Sequence, residues 1–505
     1  MSGTMTASSG RYDSQVSGQQ VRAIRVPRAG RRVLVIALGV ASTVCAVACR
    51  ETRATSTSKT MDPSVRPPPA SSIGDATAAD TPAARQFAGW LTAFNSGDRG
   101  ALVTYHQQYF PYEVASEDVA GIDHEFGLIQ GTGGFDLKTP ENPTSTSIVA
   151  ILKERRSDQF ARATMEVDPA EPHRVVRFVI HPIPTPDEFL SPDERKSRLV
   201  DDAKRRSLID GIAKELQGHY VAPDTAKQMI AALRVHLAHG DYDKITQGEE
   251  FAAAVTKDLR DVSHDLHLGL RFGRHPKGPG PTLDDQRAMG RRMNYGFGPI
   301  ERMPGNVAHV VINGFPPIPD DEAREGVAGL MTQVADADAL IVDLRNNGGG
   351  SPDTVALIAS YLFDKTPVHL NDMFSRDTGS VQQSWTVRDL RGTRFGGQKP
   401  VYVLTSKRTF SGGEEFAYDL QSLHRAKIVG ETTGGGAHPV APHELDEWFT
   451  ILVPWGRPIN PVTKTNWEGV GVVPDVAVTA DSALDEAHRR AIDDVSSKSK
   501  RPARP

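Results

Sequence analysis

The chain has 505 residues, too many for one ordinary core, so two or three domains are expected. Lys plus Arg number 58 against 63 Asp plus Glu, a formal charge of −5 that leaves no electrostatic footprint for nucleic acid. The only cysteines are Cys45 and Cys49, which excludes a disulfide-built scaffold.

Residues 1–49 read as an export segment. Arg22, Arg25, Arg28, Arg31 and Arg32 precede an apolar run from Val33 to Ala48, about as long as a signal's apolar region and short for a spanning helix. The run ends in Ala46-Val47-Ala48-Cys49. This fits an Ala-x-Ala cleavage site or, preferred here, a lipobox whose Cys49 is lipidated; Arg31-Arg32 alone is too weak for a twin-arginine signal. Either reading expects an exported protein of the periplasm or cell envelope, touching a membrane only through a lipid at Cys49 and keeping no disulfide when mature.

Residues 50–82, rich in Ser, Thr, Ala and Pro, read as a linker. Residues 83–190 read as a small α+β domain. Phe87, Trp90, Leu91 and Phe94 have helical spacing, Asn95-Ser96-Gly97-Asp98 closes the helix, and strand-like runs follow at 146–152, 161–167 and 175–180. Through that helix end and strand order the segment resembles nuclear-transport-factor-2-like modules. It carries no catalytic set, and a binding or spacer role is expected.

Residues 194–272 read as helical, with Leu208, Ile212 and Leu216 four apart and Phe251, Val255, Leu259 and Val262 repeating the stripe. At His267 the period becomes two, because Leu268, Leu270 and Phe272 alternate with His267, Gly269 and Arg271; this sets His267 on the face opposite the apolar one. Residues 273–305 read as a loop, Gly/Pro-rich at 273–281. Strands and helices then alternate through residues 282–480, which expects an α/β sheet. Residues 481–505 read as a polar helix and a disordered basic tail.

Two glycine segments follow buried-strand runs in this sheet: Asp343 to Gly350 after Ala339–Val342, and Thr409 to Glu415 after Val401–Thr405. Such turns present backbone N–H groups at the carboxyl edge of a sheet, where these sheets bind ligands. Ser411 can be a helix N-cap, since Ser411-Gly412-Gly413-Glu414 fits a capping box. Two glycines in a first helical turn are poor helix formers, however, and suit a close backbone approach to a substrate carbonyl. Ser411 would then be a nucleophile, with the Gly412 N–H and a second donor, Gly349, flanking the oxyanion. Phosphate binding lacks the Gly-Lys-Ser/Thr of a P-loop. Asp343 and Arg345 are expected to brace their loop.

Asp343-Leu344-Arg345-x-Asn347-x-Gly349-Gly350, Thr409-x-Ser411-Gly412-Gly413-Glu414-Glu415-Phe416, Gly430-Glu431-Thr432-Thr433-Gly434-Gly435-Gly436 and Gly471-Val472-Val473-Pro474-Asp475 together resemble the tail-specific protease superfamily. That superfamily includes carboxy-terminal processing proteases, tricorn protease and the repeats of interphotoreceptor retinoid-binding protein. The resemblance, over about residues 195–480, implies a twisted αβ sheet of the ClpP/crotonase-like type, a small helical subdomain and a serine nucleophile at Ser411. Processing proteases place a lysine base in the third motif, where this chain has glycines; Lys407 and Lys427 do not occupy that position. Tricorn-like members use a histidine and a glutamate, which here match His267 and Glu468. The resemblance thus implies Ser411 as nucleophile, His267 as base and Glu468 as supporting carboxylate. His264 is the second choice of base, because the tricorn pattern carries Ser-His and Ser263-His264 matches it. His438 is a candidate for substrate contact. A metal pair of His264 and His267 lacks a further ligand motif, so no metal and no cofactor is expected. Between the helical section and the sheet, residues 273–305 are too short for an inserted PDZ domain. The expected activity is peptide-bond hydrolysis on a peptide or protein substrate; an apolar-ligand binding protein of retinoid or fatty-acid type, or an esterase, remains the alternative.

Overall fold

Every residue of Ala339–Asp343 and of Val401–Thr405 is buried, as strands are in a sheet covered on both faces. A computed structural model describes residues 80–110, parts of 122–141, 143–274 and 282–499, with the backbone of 21–24 and 34–37. These strands are the centre of a six-stranded sheet in the order Val476–Ala477, Lys427–Gly430, Val401–Thr405, Ala339–Asp343, Val307–Ile312, Phe297–Met303. All neighbours are parallel except the last pair, an antiparallel hairpin.

Successive side chains of one strand serve opposite cores. Leu340, Val342, Val403 and Ile428 meet Val327, Met331, Val355, Ile358, Phe416 and Leu420 from helices Asp321–Thr332, Pro352–Ser360 and Gly412–Ser422. Ala339, Ile341, Tyr402, Leu404 and Val429 meet Ala483, Ala487 and Ala491 of helix Ala483–Ser499. The helix expected only as a polar tail therefore covers one face of the sheet. Its charged residues conceal an alanine stripe at i, i+4 spacing, just wide enough to lie flat on strands.

The helical subdomain is present as Asp202–His219, Pro223–His239 and Gly248–Ser263. Leu208, Ile212, Leu216, Met229, Leu233, Phe251, Val255 and Leu259 share a core with Leu270, Phe449, Ile451 and Val453. The last four come from an antiparallel sheet in the order Val440–Glu444, Phe449–Pro454, Gly269–Phe272. A second ribbon, Val381–Trp385, His369–Ser375 and Gly456–Ile459, completes this part. The stretch 273–305 is not all loop: it contains helix Leu283–Arg292 and strand Phe297–Met303, whose weak alternation is compensated by pairing with Val307–Ile312.

The chain divides into two units, one of residues 186–275 and 286 onward, the other of 21–185 with 276–285. In the second, helices Pro82–Asn95 and Arg99–Tyr109 accompany an antiparallel meander of Phe135–Glu141, Ser147–Glu154, Phe160–Val167 and Val175–Ile183. Phe87, Trp90 and Phe94 are buried with Phe135 and Phe178, the Phe94 and Phe135 rings stacked 5.3 Å apart. The second helix and the strand Phe135–Glu141 were not expected from sequence. That strand is a bulged edge carrying Lys138 and Pro140, composition that hides a strand. Within the expected export segment only a short antiparallel ribbon, Val21–Ile24 with Leu34–Ala37, is described, and of the expected linker only residues 80–82, where helix Pro82–Asn95 begins; Cys49 lies outside the described residues. Among these, no helix is long and apolar enough to cross a membrane.

Candidate active site

Ser411 ends the turn after Val401–Thr405 and is the N-cap of helix Gly412–Ser422; its N–H donates to Glu414 Oε2 at 2.9 Å, one half of a capping box, while its own side chain makes no cap hydrogen bond. The bland reading and the catalytic one thus share a residue, and the backbone separates them. An N-cap residue normally has β-region dihedrals; Ser411 has φ 53° and ψ −122°. A side-chain-bearing residue there costs on the order of 1–3 kcal/mol, and such strain concentrates at functional sites.

The first glycine turn lies directly against it. A Cβ added to Gly349 would fall 2.7 Å from the Ser411 Cβ and 2.8 Å from the Gly412 nitrogen, and one on Gly412 would fall 3.0 Å from the Gly350 nitrogen. The glycines are needed here for close approach. Asn347, fully buried, stitches the two turns together: its carbonyl accepts the Phe410 N–H at 3.0 Å, and its amide donates to the Ile312 carbonyl at 3.0 Å. Its Oδ1 accepts the Gly349 N–H at 2.8 Å. The donor expected at Gly349 is therefore occupied. The neighbouring Gly350 N–H makes no hydrogen bond within the described residues, and the Gly412 N–H, first of its helix, has no intrahelical acceptor. Both lie in the turns packed against Ser411.

Asp343 and Arg345 brace this loop as expected, with Arg345 Nε 2.9 Å from Asp343 Oδ1 and Nη1 2.7 Å from the Ala480 carbonyl. Burial opposes the charge on Asp343, yet the His309 ring 3.5 Å away and hydrogen bonds from Arg345 hold its carboxyl at about 2.

Glu414 holds the third glycine run onto the nucleophile. One oxygen accepts the Ser411 N–H and the Gly436 N–H, each at 2.9 Å; the other accepts the Gly435 N–H at 2.6 Å and the Thr433 hydroxyl. Burial raises its carboxyl to about 7, with those donors pulling the other way. Sequence reasoning saw only a capping residue. Four donors from segments about twenty residues apart are a tertiary fact.

His267 precedes strand Gly269–Phe272, and its ring packs at 4.6 Å on Phe410, the residue before Ser411. It is buried rather than on an open polar face, and burial lowers its pKa to about 4, so the imidazole is neutral. Its Nδ1 has no partner. Its backbone N–H donates to Asp265 Oδ1 at 3.0 Å, while Asp265 Oδ2 accepts the Tyr220 hydroxyl at 3.3 Å and pairs with His438 Nδ1 at 2.7 Å. Burial disfavours charge on His438, but Asp265 and Glu468 outweigh it and raise its pKa. The residue expected to touch substrate is thus committed through Nδ1 to an ion pair. Neither Asp265 nor Tyr220 was singled out from sequence, although Asp265 stands two residues before His267.

Glu468 Oε2 accepts the Ala437 N–H at 2.5 Å and the His438 N–H at 3.2 Å, so this carboxylate secures the 436–438 backbone rather than the His267 ring. Its Oε1 is buried without a partner. Among the described residues, His267 Nδ1 and Glu468 Oε1 are two of the buried side-chain atoms without a hydrogen-bond partner. His264 is an exposed helix C-cap with φ 56°. Lys427 is half exposed and 3.6 Å from Asp494, away from these turns.

Residues 306–478 match the model of Peptidase family S41, and residues 202–293 match that of the N-terminal domain of Peptidase_S41 in eukaryotic IRBP. The chain is 27% identical over 170 residues to carboxyl-terminal-processing peptidase 2, chloroplastic, of Arabidopsis thaliana, covering 34% of this chain and 31% of that protein. It is 32% identical over 119 residues to the tail-specific protease of Haemophilus influenzae, covering 22% and 15%. The chain thus spans less than a third of these two relatives. Among solved structures, a lipoprotein from Streptococcus agalactiae aligns with TM-score 0.41 at 14% identity over 61% of this chain and 99% of that one.

Proposed function

Residues 202–478 place the chain in the tail-specific protease superfamily, and from that premise we propose that it is a serine peptidase acting through an acyl-enzyme at Ser411. The observation that carries the reading is the strained Ser411 backbone at a helix N-terminus, enclosed by Gly349, Gly350 and Gly412.

Ser411 Oγ attacks the carbonyl carbon of the scissile peptide bond and gives its proton to the neutral His267 imidazole. The carbonyl oxygen becomes an oxyanion, taken by the N–H groups of Gly412 and Gly350 at the positive end of helix Gly412–Ser422. Collapse expels the amine, which takes the proton from His267; water then repeats the sequence and frees Ser411. The low pKa of His267 suits a base that is unprotonated at neutral pH. Asp265 fixes the His267 backbone, and Glu468 fixes the 437–438 backbone that carries His438. The substrate is a peptide or protein. Export and lipid anchoring at Cys49 rest on the sequence pattern alone.

A fluorophosphonate probe should label the purified protein, with Ser411→Ala removing both labelling and peptide cleavage. Labelling without cleavage of any peptide in a diverse library would leave an esterase. No labelling, with saturable retinol or fatty-acid binding, would overturn the enzyme reading. For the anchor, Cys49→Ser should release the protein from membranes; retention would refute lipidation.

A further inference from the structure

We propose a second site, a divalent transition-metal centre of the zinc class formed by Glu215, His219 and His443. Glu215 and His219 lie one turn apart at the end of helix Asp202–His219, and His443 lies on strand Val440–Glu444. One ligand atom from each residue falls within 4.8 Å of the others. His443 Nδ1 is 2.8 Å from Glu215 Oε2, and His219 Nε2 is 3.7 Å from the same oxygen. Tetrahedral ligand atoms about 2.1 Å from zinc stand about 3.4 Å apart, a spacing that those two distances bracket.

Two further features suit a metal better than a hydrogen-bonded cluster. The imidazoles pack with ring centroids 4.6 Å apart, close enough for each to offer a nitrogen to one ion. In addition, His219 Nδ1 lies 2.9 Å from Asp377 Oδ1, so the carboxylate sets the tautomer that leaves Nε2 free to coordinate. A carboxylate behind a ligating histidine is a common feature of zinc sites. The set is two nitrogens and a carboxylate oxygen, with a fourth position for water. The residue after His219 is Tyr220, whose hydroxyl reaches Asp265 in the active site. An ion here clamps the helix end to the 440–444 strand and so steadies the Asp265 network.

Asp265, His438 and Glu468 also approach one another closely enough for a metal. There, however, His438 Nδ1 pairs with Asp265 Oδ2 and Glu468 Oε2 accepts two backbone N–H groups, which leaves Glu468 Oε1 as the carboxylate oxygen without a partner among the described residues. The test therefore separates the two clusters. Chelator-stripped full-length protein is titrated with Co²⁺, and visible d–d absorption is followed. One equivalent is expected to bind and to be displaced by Zn²⁺, with a rise in Tm. His219→Ala and His443→Gln should each weaken binding by about 100-fold or more, Asp377→Asn by roughly 10-fold, and His438→Ala should leave it unchanged. Absence of saturable absorption, wild-type binding by both histidine variants, or loss only in His438→Ala would overturn the proposal. Should the histidine variants misfold by circular dichroism, the exposed Asp377→Asn decides: unchanged affinity refutes the site.

Discussion

His267 and Gly436 compete for one volume: a Cβ added to Gly436 would lie 2.8 Å from His267 Cε1 and 2.1 Å from Phe410 Cζ. A side chain at 436 and the histidine packed on Phe410 therefore exclude each other. This accounts physically for glycine at position 436.

Gly436→Lys should consequently not install a lysine base. Forcing the side chain in displaces Phe410 and His267, an overpacking cost of about 1–3 kcal/mol, and should lower probe labelling of Ser411 at least ~100-fold, as expected when a general base is lost. Thermal unfolding and labelling rate measure the two parts. Labelling at the wild-type rate would mean that His267 is not the base.

Ser411→Gly separates function from strain. Glycine adopts φ 53°, ψ −122° without a Cβ penalty, so the variant should lose labelling yet gain roughly 1 kcal/mol, net of the entropy glycine adds to the unfolded chain. Ser411→Ala should lose labelling with no such gain. Denaturant midpoints compare the two, and equal stabilities would show that the serine backbone is unstrained.

The pH profile follows from burial of His267. Its pKa is lowered from 6.5 to about 4, so kcat/KM should rise through about pH 4 and be level across neutral pH. Between those two values the unfolded chain binds the extra proton, so stability falls as pH drops from 6.5 towards 4 and does not change with this group above 6.5. The loss amounts to roughly 3 kcal/mol at most, at about 1.4 kcal/mol per unit. His267→Phe should flatten this slope in denaturation curves. A kinetic midpoint near 6.5 would contradict a buried neutral histidine.

Glu414→Gln leaves the shape of the side chain but replaces an acceptor by a donor where N–H groups converge. At least one buried N–H loses its partner, at about 1–3 kcal/mol, and the hold between Ser411 and the 434–436 run loosens. Labelling should slow by roughly 10-fold or more, since small displacements of reacting groups are costly. An unchanged rate would remove Glu414 from the positioning of the site.

Much of this site is local and so could be read along the chain. Ser411 beside Gly412, the Asn347 to Gly350 turn and the missing lysine are short-range patterns, and the strands before them show as apolar runs. Gly349 shows the limit: its choice as donor followed from spacing, and Asn347 Oδ1 takes its N–H. The His438–Asp265 pair joins residues 173 positions apart, and no periodicity encodes that. The alanine stripe of helix Ala483–Ser499 was hidden because alanine looks neutral beside so many charges, although it suffices to cover a flat sheet face.

By itself the sequence determined which backbones turn, which strands are buried on both sides and which serine stands at a helix start, because propensity and side-chain period act over a few residues. Sheet order and packing decided the rest. They set which N–H groups remain free, which carboxylate holds the glycine run, which histidine is buried neutral and which is paired, because those depend on donors, acceptors and burial supplied from distant parts of the chain.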